Sequence, residues 1–162
     1  YTETKNFIHG GGPNAIKANF GEYHSMGLET SIEFKFPRNY SLSMHHTWND
    51  TYLFEKTKAQ HYQPPSRRPK HKFNANLSYI SENGFESIVG LFIRSRARGW
   101  NAINETPAYG TVRAAISKRL SVNKNIKWTL RGENLLDARA MQVGGFGSPG
   151  RSFYAGLAYT FN

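Results

Sequence analysis

The feature that most constrains this chain is a two-residue alternation that stays in phase almost to its last residue. Across residues 152–162, Phe153, Ala155, Leu157, Tyr159 and Phe161 fall on one side of an extended backbone. Tyr154, Gly156, Ala158 and Thr160 fall on the other. Successive side chains of a strand point to opposite faces, so this run presents one apolar face and one small, polar face. Residues 126–136 sharpen the contrast. Ile126, Trp128 and Leu130 point one way, and Lys127, Thr129, Arg131 and Glu133 the other. A charged row opposite an apolar row does not suit a sandwich core. It suits a wall with lipid on one side and a wet lumen on the other.

The pattern recurs upstream. Val112, Ala114 and Ile116 alternate with Arg113, Ala115 and Ser117. Ser87, Val89, Leu91 and Ile93 alternate with Ile88, Gly90, Phe92 and Arg94. Phe73, Ala75, Leu77 and Tyr79 alternate with Asn74, Asn76 and Ser78. Tyr40, Leu42, Met44 and Trp48 oppose Ser41, Ser43, His45 and Thr47, while Leu28, Thr30, Ile32, Phe34 and Phe36 oppose Glu29, Ser31, Glu33 and Lys35. Residues 2–8 form a weaker first strand. Eight strands result, most about 9–11 residues long, the length of a tilted membrane strand. Helix is a poor alternative, because Gly and β-branched residues interrupt the runs and caps are absent.

The connections alternate in length. Short turns are expected at 36–40, 81–85 and 121–125, the second carrying the hairpin pair Asn83-Gly84. Long Gly/Pro-rich connections are expected at 9–21, 54–70, 99–109 and 137–151. Short periplasmic turns and long extracellular loops are the habit of outer-membrane barrels. Aromatics near the strand ends (Tyr40, Trp48, Tyr52, Tyr79, Phe85, Trp100, Tyr109, Phe153, Phe161) fit interfacial girdles.

Composition agrees. Hydrophobic residues make up 38% of the 162, little for a soluble core, but a barrel wall needs them on one face only. The chain has no cysteine, which removes disulfides and thiolate chemistry. No run of about 18 apolar residues is present, so no membrane helix is expected. Because it starts at Tyr1, inside a strand pattern, the chain reads as a fragment or processed product. The fold expectation is all-β: an antiparallel membrane β-barrel of bacterial outer-membrane type.

The tail carries a family resemblance. Leu130-Arg131-Gly132-Glu133-Asn134-Leu135-Leu136-Asp137 resembles the penultimate-strand motif of TonB-dependent outer-membrane receptors, with Leu136 where an aromatic is usual. Gly147-Ser148-Pro149-Gly150-Arg151-Ser152-Phe153 is similar to their Pro-Gly-Arg segment, and Tyr154 to Phe161 to their closing strand. Upstream, Gly27-Leu28-Glu29 and Arg67-Arg68-Pro69-Lys70-His71 resemble stretches that open or lead into strands.

The resemblance implies that residues 1–162 are the C-terminal portion of a 22-stranded barrel, an open curved sheet of about eight strands whose plug and earlier strands lie elsewhere. It implies energised uptake of a scarce ligand across the bacterial outer membrane, with an iron chelate, cobalamin or haem as cargo. The partners implied are the TonB complex through the plug, the outer-membrane insertion machinery, and lipid and lipopolysaccharide. Phe153, Tyr159 and Phe161 would carry the assembly signal, although Asn162 follows the usual terminal Phe. The alternative is a complete eight-stranded outer-membrane barrel, an adhesin, anchor or lipid-modifying enzyme, since eight strands can close.

Arg94, Arg96 and Arg98 recur at spacing two, and with Arg113, Lys127 and Arg131 they suggest a positive inner wall. Three readings stand: pairing with Glu29, Glu86, Glu133 or plug carboxylates; attraction of an anionic substrate; and contact with lipopolysaccharide phosphates. Arg94, Arg96, Arg113 and Arg131 are the candidate substrate-binding residues.

Other constellations are weaker. The run 144–150 is glycine-rich, but a strand rather than a helix follows it, so it reads as a loop and not a dinucleotide site. His45 and His46 point to opposite faces, while His9 with His24, and His61 with His71, could approach through their loops; no metal site is expected. The net charge of +10 raises nucleic-acid binding, but the basic residues are spread over all strands without a recognition element, so no nucleic-acid partner is expected. No catalytic arrangement is readable, and neither enzymatic activity nor a cofactor is expected.

Overall fold

A computed structural model describes residues 2–5, 8–9, 18–19, 21–55, 62–63, 68–97, 105–120, 125–139, 141–143 and 146–161. Arg67, His61, Arg98, Trp100, Gly144, Gly145, Asn162 and most of the turn at 121–125 lie outside the described residues. Eight strands join one antiparallel sheet in chain order: β1 (Thr2–Lys5), β2 (Gly21–Phe36), β3 (Tyr40–Glu55), β4 (His71–Ile80), β5 (Phe85–Arg94), β6 (Tyr109–Arg119), β7 (Ile126–Glu133) and β8 (Ser152–Tyr159). A two-residue piece, Tyr62–Gln63, pairs with β3, and two small ladders lie in the long connections. The edges are β1 and β8. They do not pair with each other, so the sheet is open and the closed eight-stranded barrel is not formed.

Register fixes which residues share a face. Phe34, Leu42, Leu77, Val89, Ala114, Gly132 and Phe153 are successive partners across seven strands. This row starts near the short turn in β2 and ends at the long-loop end of β8. The strands therefore shift steadily against one another, as the shear of a barrel wall requires. The opposite face carries Glu33, Ser43, Asn76, Gly90 and Arg113 in one register row.

The sheet has no core. Ala97 is the sole buried hydrophobic residue among the described residues, while Leu157 is 80% and Phe153 72% exposed. The apolar residues have not turned away from the surface; they form one continuous face of it. Contiguous apolar area of this extent marks contact with lipid or with more protein. At the short-turn end the face closes in rings, with Tyr40 4.7 Å from Tyr79, Tyr79 6.3 Å from Phe85, and Tyr159 4.7 Å from Phe161 between centroids.

Two boundaries differ from expectation. The hairpin β2–β3 has strands of 16 residues each. At about 3.4 Å per residue and a tilt of about 40°, such a strand rises roughly 40 Å, beyond an apolar band of about 25 Å. Its upper part, including Glu22, His24, Asn49 and Asp50, has no apolar row, which is why alternation missed it. Gly27 lies in this hairpin, where a Cβ would stand 2.7 Å from the Trp48 carbonyl oxygen, so the strands can approach this closely only at glycine.

At the other boundary, β7 stops at Glu133 rather than at Leu136. Asn134 turns to a φ of 48° and Asp137 to 53°. The buried Asn134 side chain donates to the carbonyls of Ala138 (3.0 Å) and Pro149 (3.2 Å) and accepts from the Ala138 N–H (2.9 Å). Asp137 Oδ1 accepts from the Arg151 N–H at 2.9 Å. The Asn-Leu-Leu-Asp run is thus a clamp that ties the end of β7 to the start of β8.

Two measurements check this architecture. Leu77→Arg, on the apolar face, is expected to lower folding stability by about 2–4 kcal/mol in reversible urea unfolding in lipid, whereas Ser78→Arg beside it costs far less. Asn134→Ala leaves buried backbone groups unpaired and is expected to cost about 1–3 kcal/mol in the same assay.

Candidate functional site

The polar face is where the chain concentrates chemistry. Its side chains link laterally because each strand places small or polar residues on that side at matching register. Arg113 of β6 extends over β5 and donates from Nη2 to Asn76 Oδ1 of β4 at 3.1 Å. Asn76 donates onward to Ser43 Oγ of β3 at 3.5 Å. Gly90 makes this crossing possible: a Cβ there would meet Arg113 Nε at 2.7 Å and Asn76 Oδ1 at 2.8 Å. Nearby, Ser41 and Ser78 share a 3.0 Å hydrogen bond, and Ser31 Oγ pairs with His45 Nδ1 at 2.9 Å.

Toward the short-turn end of the same face, Glu86 of β5 accepts from Lys127 Nζ of β7 at 2.6 Å and from Ser117 Oγ of β6 at 3.3 Å. Three strands are tied by one carboxylate. Arg131 of β7 lies 3.4 Å from Glu133 and over the Tyr154 ring at 4.8 Å.

At the long-loop end Arg94 is buried. It donates from Nη2 to Thr106 Oγ1 and stands over the Tyr109 ring at 5.0 Å. Thr106 and Ala97 exchange two backbone hydrogen bonds of 2.9 Å, forming a neck beneath the connection between β5 and β6. Arg94 Nε is buried and has no hydrogen-bond acceptor among the described residues.

The four candidate arginines therefore divide. Arg131 pairs with Glu133, and Lys127 takes Glu86, as the pairing reading expects. Arg94, Arg96 and Arg113 meet no carboxylate within 4.0 Å among the described residues. Arg94 and Arg113 lie on the polar face by register, opposite Tyr109 and Gly90; Arg96 follows β5 and is exposed. Phe153, Tyr159 and Phe161 share the outer apolar row, and Phe161 is 87% exposed.

Sequence reasoning missed several members. Tyr109 reads as a girdle aromatic, but its register with Arg94 puts it on the polar face, 5.9 Å from Phe92. Parity with Arg113 would have shown this. Gly90 and Asn76 sit in the alternation, yet nothing in it says that an arginine two strands from Asn76 reaches over the glycine. The structure also joins His46 with His71, a pair the sequence reading did not consider; the expected approach of His61 to His71 lies outside the described residues.

Comparisons with known proteins bear on this wall. The family model described as TonB dependent receptor-like, beta-barrel, matches residues 1–135. A search of the curated proteins finds no match. Among solved structures, the siderophore receptor PiuA from Acinetobacter baumannii superposes with a TM-score of 0.74 at 19% identity, covering 97% of this chain and 25% of the receptor. The ferric-catecholate import receptor Fiu from E. coli K12, in its closed form, gives 0.73 at 16% identity, covering 98% and 24%. The chain spans about a quarter of the length of each receptor.

The Gly90 crossing can be tested by coupling. Gly90→Ala is expected to destabilise by about 1 kcal/mol or more in the wild-type background and much less once Arg113→Ala has removed the side chain above it. A double-mutant cycle on unfolding free energy reads the difference; strict additivity would contradict the geometry.

Proposed function

Because the chain belongs to the TonB-dependent receptor-like β-barrel family, we propose that it forms the C-terminal part of the wall of an outer-membrane receptor that imports an anionic iron chelate. The observation that carries the cargo class is the trio Arg94, Arg96 and Arg113, basic groups with no carboxylate partner among the described residues. Among the described residues the buried Arg94 guanidinium is held by a hydroxyl and an aromatic face, with no carboxylate beside it, an arrangement an anion would complete. Arg131 stands on the same wall and contributes positive field, partly offset by Glu133.

A ferric catecholate bears net negative charge and offers several acceptor oxygens, which suits guanidinium donors. Of the two receptors of like fold, one is a siderophore receptor and the other a ferric-catecholate import receptor, which favours an iron chelate over cobalamin or haem. The remaining strands of a 22-stranded barrel would pair with the free edges of β1 and β8, since lipid tolerates no unpaired edge. A plug within the lumen would face the polar wall and engage the TonB complex, which supplies the energy. The outer row ending at Tyr159 and Phe161 would present the assembly signal to the insertion machinery, and the apolar face would meet lipid and lipopolysaccharide. The role is transport, with no chemical step.

The test is ligand binding and iron-limited growth with the intact receptor. Arg94→Gln and Arg113→Gln are each expected to weaken binding of a ferric catecholate by about tenfold or more, with the effect shrinking at high salt. Unchanged affinity in the double variant, with normal folding and surface display, would overturn the assignment of these arginines.

A further inference from the structure

The apolar face carries a pair of histidines that the receptor reading does not use. His46 of β3 stands in the outward row between Met44 and Trp48, and His71, the first residue of β4, is the register partner of Trp48. The two are diagonal neighbours on the same face. His46 Nε2 lies 3.1 Å from His71 Nδ1, with ring centroids 5.4 Å apart and ring planes within 12°. An ionisable residue in such a row is costly, and where one persists a functional reason is the first hypothesis.

We propose that His46 and His71 form a bidentate site for a divalent transition-metal ion on the outer surface of the wall, beside Trp48. The distance supports this. Two imidazole nitrogens bound to one ion at about 2.0–2.1 Å lie roughly 2.9–3.4 Å apart, from square to tetrahedral angles. The 3.1 Å separation falls within that range with no movement of the backbone.

The frame is rigid. His71 is held on one side by β3, and on the other its N–H donates to Ser95 Oγ at 3.1 Å while its carbonyl accepts from the Ser95 N–H at 2.9 Å. Asp50, on the same face two residues beyond Trp48, is paired with Lys70 at 2.7 Å. Two neutral nitrogens with no added carboxylate favour Cu2+, Ni2+ or Zn2+ over Mg2+ or Ca2+. Binding requires the ring that carries the shared hydrogen to switch to its other neutral tautomer, so that both rings present a lone pair to the ion and no net proton is lost. His45 points to the other face and is held by Ser31, so it takes no part.

The experiment titrates the full-length protein in detergent micelles with Cu2+ alone and reads electron paramagnetic resonance and affinity. The expected result is a bound species coupled to two imidazole nitrogens. His46→Ala and His71→Ala should each abolish the two-nitrogen signature and weaken affinity at least tenfold, while His45→Ala changes neither. His46→Gln serves if His46→Ala does not fold. Absence of the two-nitrogen species in the wild type, or its persistence in the His46 and His71 variants, would overturn the site and leave a pair that shares only a hydrogen bond.

Discussion

A backbone amide or carbonyl that leaves water needs a hydrogen-bond partner, and every other feature of this sheet follows from that demand. Each inner strand, β2 to β7, has partners on both sides, and the ladders run in unbroken register from Gly21 to Tyr159. Once the ladder is fixed, side-chain direction is fixed with it. Apolar residues then accumulate on one face without burying one another. Leu157 and Phe153 can remain exposed because their partner is the surrounding medium or the rest of a barrel, not a core.

The polar face solves a different problem. Water or protein can reach it, so charges are tolerated, and the sheet uses them to tie neighbouring strands. Glu86 gathers Ser117 and Lys127 from two further strands, and Arg113 crosses Gly90 to reach Asn76. These links are lateral and of the kind that stiffens a wall. The arginines left over, Arg94 with its Tyr109 face and Arg96 beyond the strand, stand toward the long-loop end of β5. The division of labour comes from local carboxylate supply: Arg131 has Glu133 two residues away, and Arg94 and Arg113 have none within 4.0 Å among the described residues.

The tail motif has a mechanical explanation. Asn134 and Asp137 adopt positive φ, which asparagine and aspartate tolerate better than most residues. Their side chains then cap the ends of β7 and β8 across the connection between them. A resemblance read as a family signature is thus also a solution to terminating two strands at the same height.

How much was legible in the residues alone follows from what is local. Alternation, turn pairs such as Asn83-Gly84 and the long-loop asymmetry depend on neighbours in sequence, and they were sufficient for an all-β wall with assigned faces and eight strands, while the family resemblance rested on the tail motifs from Leu130 to Asp137 and from Gly147 to Phe153. The upper half of the hairpin β2–β3 was not legible, because Glu22 to Met26 carry no apolar row to mark a strand whose ladder alone sustains it. Contacts between strands were beyond reach for a similar reason. Register decides that Tyr109 faces Arg94, that Gly90 lies beneath Arg113, and that His46 meets His71, and register is a property of pairing across dozens of residues. Sequence by itself determined the kind of surface each strand presents; only the tertiary structure decided which side chains on that surface touch.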